Sequence, residues 1–302
     1  MDKLQQLSVF RRVVETGNIT RAARDLAMSQ PSVSRIIGEL EGRLGVPLLL
    51  RSPRGLTATE AGQAFHAEAV SILDRLEEAE ASLRGAQASL AGPVRIACVA
   101  AFFNAVVLPW LTDFLHANPA VSLDVRLDHK QVDLIGEGID LAIRFGPIRE
   151  QSLIVRKLGR IDFALFASPD YLRRRGMPET PEELAQHEFC RLTAGRMNSL
   201  LTLDGPEGRS ASIETHGGFS ADSVDTTHLA ARAGLGIALL APWGVAEEVE
   251  AGRLVPVLPG WRAEPRDVHA AWPSTHNLPR RVRAVLDILV AKATAEPRLR
   301  AR

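Results

Sequence analysis

A chain of 302 residues exceeds the length over which one hydrophobic core keeps growing, so more than one compact unit is expected. Hydrophobic residues at 46% and charged residues at 24% exclude the disordered and fibrous classes. The formal charge is zero, yet the first 62 residues carry nine basic and six acidic side chains, which leaves +3 there and −3 on the rest. A small basic head on a mildly acidic body fits a DNA-binding module joined to a domain with a different task. The two cysteines, Cys98 and Cys190, give no disulfide framework and no metal spacing, and read as buried or semi-buried thiols rather than a redox switch. The start at Asp2-Lys3 does not look like a signal peptide, and no apolar run approaches the roughly 20 residues that span a bilayer. The expectation is a soluble, cytoplasmic protein.

Leu4, Leu7, Phe10, Val13 and Val14 have the spacing of an amphipathic helix, and Gly17-Asn18 stops it. A short second helix follows, with Ala22, Ala23, Leu26 and Ala27 as its small inward face. Ser29 suits the N-cap of a third helix with Pro31 in its first turn. That helix turns Val33, Ile36, Ile37, Leu40 and Leu44 inward and ends at Gly45. Residues 48–57 read as a two-stranded wing with a basic tip at Ser52-Pro53-Arg54-Gly55. Thr57 or Thr59 can cap the next helix. Along it Phe65, Ala69, Ile72, Leu76, Ala79, Leu83, Ala86 and Leu90 form a heptad stripe whose seam normally faces another helix. Self-association is its expected use, against the alternative of a surface helix packed on its own domain.

Beyond Gly92-Pro93 the pattern becomes strand 94–100, helix 105–117, strand 121–127, a short helix, strand 140–145 and strand 163–167. A strand at 213–219, a helix at 224–233, a strand at 237–240 and a last helix at 279–292 follow. This alternation predicts an α/β domain with a mostly parallel sheet covered on both faces. The arginines 298, 300 and 302 read as a solvated basic tail.

The strongest functional signal lies in residues 20–44. In a helix-turn-helix the second helix enters the major groove, and its opening turns must reach base edges. Gln30, Ser32, Ser34 and Arg35 occupy those turns after Pro31; Gln pairs with adenine, Arg with guanine or phosphate, and Ser with either. Arg21, Arg51 and Arg54 would hold the DNA backbone.

Here the chain resembles the LysR-type transcriptional regulators. The resemblance is carried by Phe10-x-x-Val13-x-Glu15-x-Gly17, Ala22-Ala23-x-x-Leu26, Ser29-Gln30-Pro31-Ser32-Val33-Ser34, Leu40-Glu41-x-x-Leu44-Gly45, Leu48-Leu49-x-Arg51 and Leu56-Thr57-x-Thr59-Glu60-Ala61-Gly62. It continues through 140–146, 166–172 and 234–238. It implies a winged helix-turn-helix (1–58), a dimerising linker helix (59–92) and a two-lobed effector domain like a periplasmic binding protein (93–302). Lobe I would be 93–163 with 268–302, and lobe II 164–267. It also implies a homodimer or dimer of dimers on a partly palindromic operator, with effector binding altering DNA bending and RNA polymerase as a further partner. Thr20-Arg21 stands where the family has a small residue, and Arg21 reads as a phosphate contact.

By the same resemblance the effector would be lined by Ala101, Phe102 and Asn104, by Arg144 and Phe145, by Ala167 and Ser168, and by Ser220 and Asp222. Helix N-termini near Asn104 and near Asp222 favour an anionic group. Arg144 is either a fixed positive charge for it or half of an internal salt bridge, and Ser168 and Ser220 are either donors or strand-end hydroxyls satisfied by backbone. Relatives often place a carboxylate-holding Ser or Thr where this chain has Ala100-Ala101-Phe102-Phe103, which points to an aromatic or hydrophobic acid, or to a collapsed pocket. Enzyme signatures are absent: Ser220 lacks a nucleophile elbow, the eight histidines show no metal spacing, and Gly234-x-Gly236 misses the dinucleotide fingerprint. No cofactor and no catalysis are expected.

Overall fold

The computed structural model describes residues 2–52, 55–83, 90–127, 133–193, 200–274 and 278–300. The head opens with α1 (Lys3–Thr16), α2 (Ile19–Asp25) and α3 (Gln30–Leu44). Their ends are set locally. Asp2, Asn18 and Ser29 accept from backbone N–H groups as N-caps, and Gly17 and Gly45 close α1 and α3 at φ 60° and 73°, a left-handed conformation that glycine adopts without penalty. Leu7, Phe10, Val13, Ala22, Ala23, Val33, Ile36, Ile37 and Leu40 form one core. Strands β1 (Leu49–Ser52) and β2 (Gly55–Ala58) pair antiparallel as the wing.

Ala27 departs from its expected place on the inner face of the second helix. It is exposed, in the turn between α2 and α3, at φ 52°. An L-residue there carries about 1–2 kcal/mol of steric cost. Ala27→Gly removes that cost and adds about 0.5–1 kcal/mol of unfolded-state entropy, so the head should gain about 0.5 kcal/mol. A thermal melt in which this variant unfolds below wild type would refute the assignment.

Helix α4 (Glu60–Leu83) starts at Thr59, whose Oγ1 accepts from the Gly62 N–H at 2.9 Å. Its apolar stripe serves two surfaces. Phe65, Ala69 and Leu73 pack against the head core, whereas Ile72 and Leu76 stay exposed. The alternative of a helix lying on its own domain therefore holds for the first turns. The side chains of Ala79, Leu83 and Ala86 lie outside the described residues.

The C-terminal domain begins with β3 (Gly92–Cys98) and a helix over Ala100–Ala117. That helix comprises α5 (Ala100–Phe102), a π-helical turn (Phe103–Val107) and α6 (Leu108–Ala117). It is long and apolar enough to cross a membrane by composition, but Phe102, Phe103, Val106, Val107, Trp110 and Leu111 form part of the lobe I core. It starts five residues earlier than expected because Ala100 and Ala101, strong helix formers, extend it to the end of β3. After β4 (Val121–Leu127) the expected short helix is, among the described residues, a turn in which Asp133 Oδ1 accepts from the Ile135 and Gly136 N–H groups.

The remaining order is β5 (Leu141–Phe145), β6 (Leu153–Ala167), α7 (Pro169–Arg175), β7 (Glu188–Leu192), β8 (Leu200–Asp204), β9 (Ser210–Glu214), β10 (His216–Ala221), α8 (Val224–Arg232), β11 (Ala238–Leu240), α9 (Ala246–Glu250), β12 (Val255–Val257), β13 (Arg262–Pro273) and α10 (Arg280–Ala295). The main sheet runs β11-β6-β13-β5-β3-β4. It is mixed, not mostly parallel. β3 is parallel to β4 and β5, but the long strands β6 and β13 are antiparallel to each other, with register from Ala263↔Phe163 to Pro273↔Leu153. These two strands serve both lobes. At one end they border the lobe I core, and at the other β6 carries β11 and β12 of lobe II. β7 and β10 pair in parallel separately, under α8.

Among the described residues the expected solvated basic tail folds back onto the domain through Arg298 and Arg300. Pro109 has no N–H for the Ala105 carbonyl four residues back, and Arg298 Nη1 donates to that carbonyl at 2.9 Å. Its Nε and Nη2 grip both oxygens of Glu296 at 2.7 Å. Arg300 Nη2 donates to the Thr294 carbonyl; Arg302 lies outside the described residues.

Candidate DNA-reading helix and effector cleft

The first turn of α3 is presented from a rigid base. Ser29 Oγ accepts from the Ser32 N–H and lies 2.7 Å from Ser32 Oγ, while Val33, Ile36, Ile37 and Leu40 anchor the opposite side in the core. That leaves Gln30, Pro31 and Arg35 exposed and Ser32 and Ser34 half-buried along one edge. Arg35 Nη1 rests on Glu39 Oε1 at 2.8 Å, with both side chains largely exposed. A surface pair of this kind is worth about 0–1 kcal/mol, so a phosphate or guanine can displace Glu39 cheaply. Arg21 is exposed at the first turn of α2. The Arg51 side chain and all of Arg54 lie outside the described residues.

In the C-terminal domain three aromatic rings meet between the lobes. Phe102 stands edge-on to Phe145 (5.2 Å between centroids) and to Trp243 (5.8 Å). Phe102 and Phe145 belong to lobe I; Trp243 follows β11 in lobe II. Sequence reasoning named the first two and missed Trp243, whose signal was an indole placed directly after a strand. Its Nε1 is buried without a hydrogen-bond partner. Helix α5 meets this cluster with Val99 as an N-cap that offers no side-chain acceptor, so its first amides remain available to a ligand.

Arg144, Ala167 and Ser168 are engaged away from these rings, and Asn104, Ser220 and Asp222 are exposed. Arg144 and Phe145 project to opposite faces of β5, as neighbours on a strand must. Phe145 joins the lobe I core, and Arg144 Nη1 donates to Glu150 Oε1 at 2.5 Å. Burial, the largest single influence, raises the Glu150 carboxyl, but the Arg144 hydrogen bond and charge together with the backbone N–H groups of Glu150 and Arg149 outweigh it, and the net shift is downward. The internal salt bridge is thus the alternative realised. Ala167 is fully buried in a lobe II core, and Ser168 is a buried N-cap accepting from Tyr171 N–H; strand alternation and capping remove both from the cleft. Asn104 sits exposed inside the π-helical turn rather than at a helix start. Ser220 and Asp222 are exposed at the end of β10 and before Ser223, the α8 N-cap.

Both thiols are buried. Burial pushes the Cys98 thiol far up and the Cys190 thiol up to about 11, so neither is a thiolate at neutral pH. Among the described residues no cluster of His, Cys, Asp or Glu could hold a metal ion.

Comparison with known proteins agrees with this arrangement. The domain described as "Bacterial regulatory helix-turn-helix protein, lysR family" matches residues 4–63, and "LysR substrate binding domain" matches residues 87–294. An HTH-type transcriptional repressor of Pseudomonas aeruginosa is 34% identical over 300 residues, covering 99% of this chain and 95% of its own. The HTH-type transcriptional activator AaeR of Escherichia coli is 32% identical over 289 residues, covering 96% and 93%. Among solved structures, CrgA of Neisseria meningitidis, a LysR-type regulator, is 30% identical with a TM-score of 0.60 over 96% of this chain and 98% of its own. The Vibrio cholerae virulence activator AphB is also 30% identical, with a TM-score of 0.58 over 96% and 99%. The chain belongs to the LysR family of transcriptional regulators, with a helix-turn-helix that binds DNA and a C-terminal domain that senses a small molecule.

Proposed function

We propose that Gln30, Pro31, Ser32, Ser34 and Arg35 read the operator in the major groove while Arg21, Arg51 and Arg54 hold phosphates. The observation that carries this reading is the capped, exposed first turn of α3 set on a buried apolar face. Ser34→Ala or Arg35→Ala should each weaken operator binding by about 1–3 kcal/mol per lost base contact, with the oligomer intact. Arg21→Ala should weaken all sequences alike and lower the salt slope by about one. Gel-shift titrations in which both α3 variants bind like wild type would sink the choice of reading residues. The working unit is a homodimer or dimer of dimers on a partly palindromic site in the cytoplasm, able to meet RNA polymerase. Relatives include both a repressor and an activator.

The effector is an aromatic or hydrophobic acid. Phe102, Phe145 and Trp243 would take the ring, the unpartnered Trp243 Nε1–H an acceptor, and the amides at the start of α5 the carboxylate. Ala101 fits close approach there; Asn104, Ser220 and Asp222 stand at the rim. In a thermal-shift screen aromatic acids should raise Tm and short aliphatic diacids should not. The reverse ranking would exclude this ligand class.

A further inference from the structure

Arg95 belongs to β3 of the effector domain, yet its Nη2 lies 3.0 Å from Glu15 Oε1 on α1 of the head. Only 16% and 20% of these two side chains is exposed, against 63% and 41% for Arg35 and Glu39, so this pair is less open to solvent screening than the Arg35–Glu39 pair, although it stands at the surface edge of α1. It is one link in a longer chain. Glu15 Oε2 also takes Arg12 Nη1 at 3.3 Å, and Arg12 Nε donates to Asp25 Oδ2 of α2 at 2.9 Å. On the other side the Arg95 N–H donates to Asp140 Oδ2 at 2.7 Å, and the Asp140 N–H returns a bond to the Arg95 carbonyl. Asp140 leads directly into β5, which ends at Phe145 in the aromatic cluster.

A half-buried imidazole stands nearby. His66 of α4 has its Nε2 buried without a partner and its ring edge-on to Phe10. Burial holds this imidazole below its ordinary pKa, with Glu15 opposing and Arg95 adding to the effect.

We propose that Glu15 and Arg95 form a latch within one protomer that fixes the DNA-reading head on lobe I and joins the β5 end of the effector cleft to α2 of the helix-turn-helix. Cleft occupancy that moves Phe145 then acts on the head through β5, Asp140 and Arg95. The packed strand and the ion chain supply the continuous connection such coupling requires. The latch rests on the family's DNA-binding role but not on the choice of bases or effector.

The test is a cycle on the full-length protein with Arg95→Glu, Glu15→Gln and the double variant, read by hydrogen exchange of α1 and α2 amides without DNA. Arg95→Glu sets two carboxylates together and should speed that exchange about five-fold or more. In the Glu15→Gln background the same change should add less than about two-fold, and Arg95→Lys should exchange like wild type. An Arg95→Glu effect that is absent, or equally large in both backgrounds, overturns the latch. Operator gel shifts with the wild-type protein test DNA binding separately from the latch.

Discussion

Replacing Ile72 and Leu76 together by glutamate is expected to split the oligomer into monomers and weaken operator binding by about 10²- to 10⁴-fold, the loss of bivalent attachment. Four residues apart on α4, these side chains share one helix face and are 46% and 36% exposed in the single chain. Neighbouring Phe65, Ala69 and Leu73 are already committed to the head core, so the substitutions leave the head's interior untouched. Two apolar side chains held outward on a 24-residue helix are what a partner helix buries, and a carboxylate in that seam would have to be desolvated. Sedimentation should give a monomer whose circular dichroism matches wild type. An intact dimer would show that the seam lies elsewhere and that α4 serves only its own head.

The head was legible in the sequence because its signals are local. Ser29, Gly17 and Gly45 mark helix ends within one or two residues, and the apolar spacing of α1 and α3 points at a single core. What escaped depends on distant partners. β6 and β13 pair across a hundred residues or more; the first part of β6 is largely exposed and β13 mixes exposed with buried positions, so only the buried end of β6, residues 163–167, stood out. The same distance hid the role of Arg298, which is defined by Ala105, and that of Arg95, which is defined by Glu15. The residues expected to line the cleft divide for a related reason. Phe102 and Phe145 follow from their places at strand ends, but whether Arg144 faces a ligand or Glu150, and whether Ala167 faces cleft or core, is decided by the parity of a strand and by neighbours elsewhere in the chain.

Arg298→Ala should destabilise the effector domain by about 2–3 kcal/mol at neutral pH, more than its place two residues from the described end suggests. The variant leaves Glu296, only 9% exposed, without the guanidinium that grips both of its oxygens, and takes a donor from the Ala105 carbonyl beside Pro109. The figure stays below that of a fully buried pair because Arg298 itself is 35% exposed. The pH dependence follows from the Glu296 carboxyl, which the Arg298 hydrogen bonds hold below its ordinary value against burial. A depressed carboxylate stabilises the fold above its unfolded pKa and loses that contribution as pH falls through the folded one. Without the Arg298 guanidinium, burial raises this carboxyl with only the residue-298 N–H and Trp110 opposing it. The stability gap between wild type and variant is therefore largest near pH 7 and narrows as the pH falls through the ordinary carboxylate range. Urea unfolding at pH 7 and pH 4 measures the two gaps. A gap that is constant with pH would mean that Arg298 acts only through the Ala105 carbonyl, and no gap at all would mean that the C-terminal clasp does not hold the π-helical turn in place.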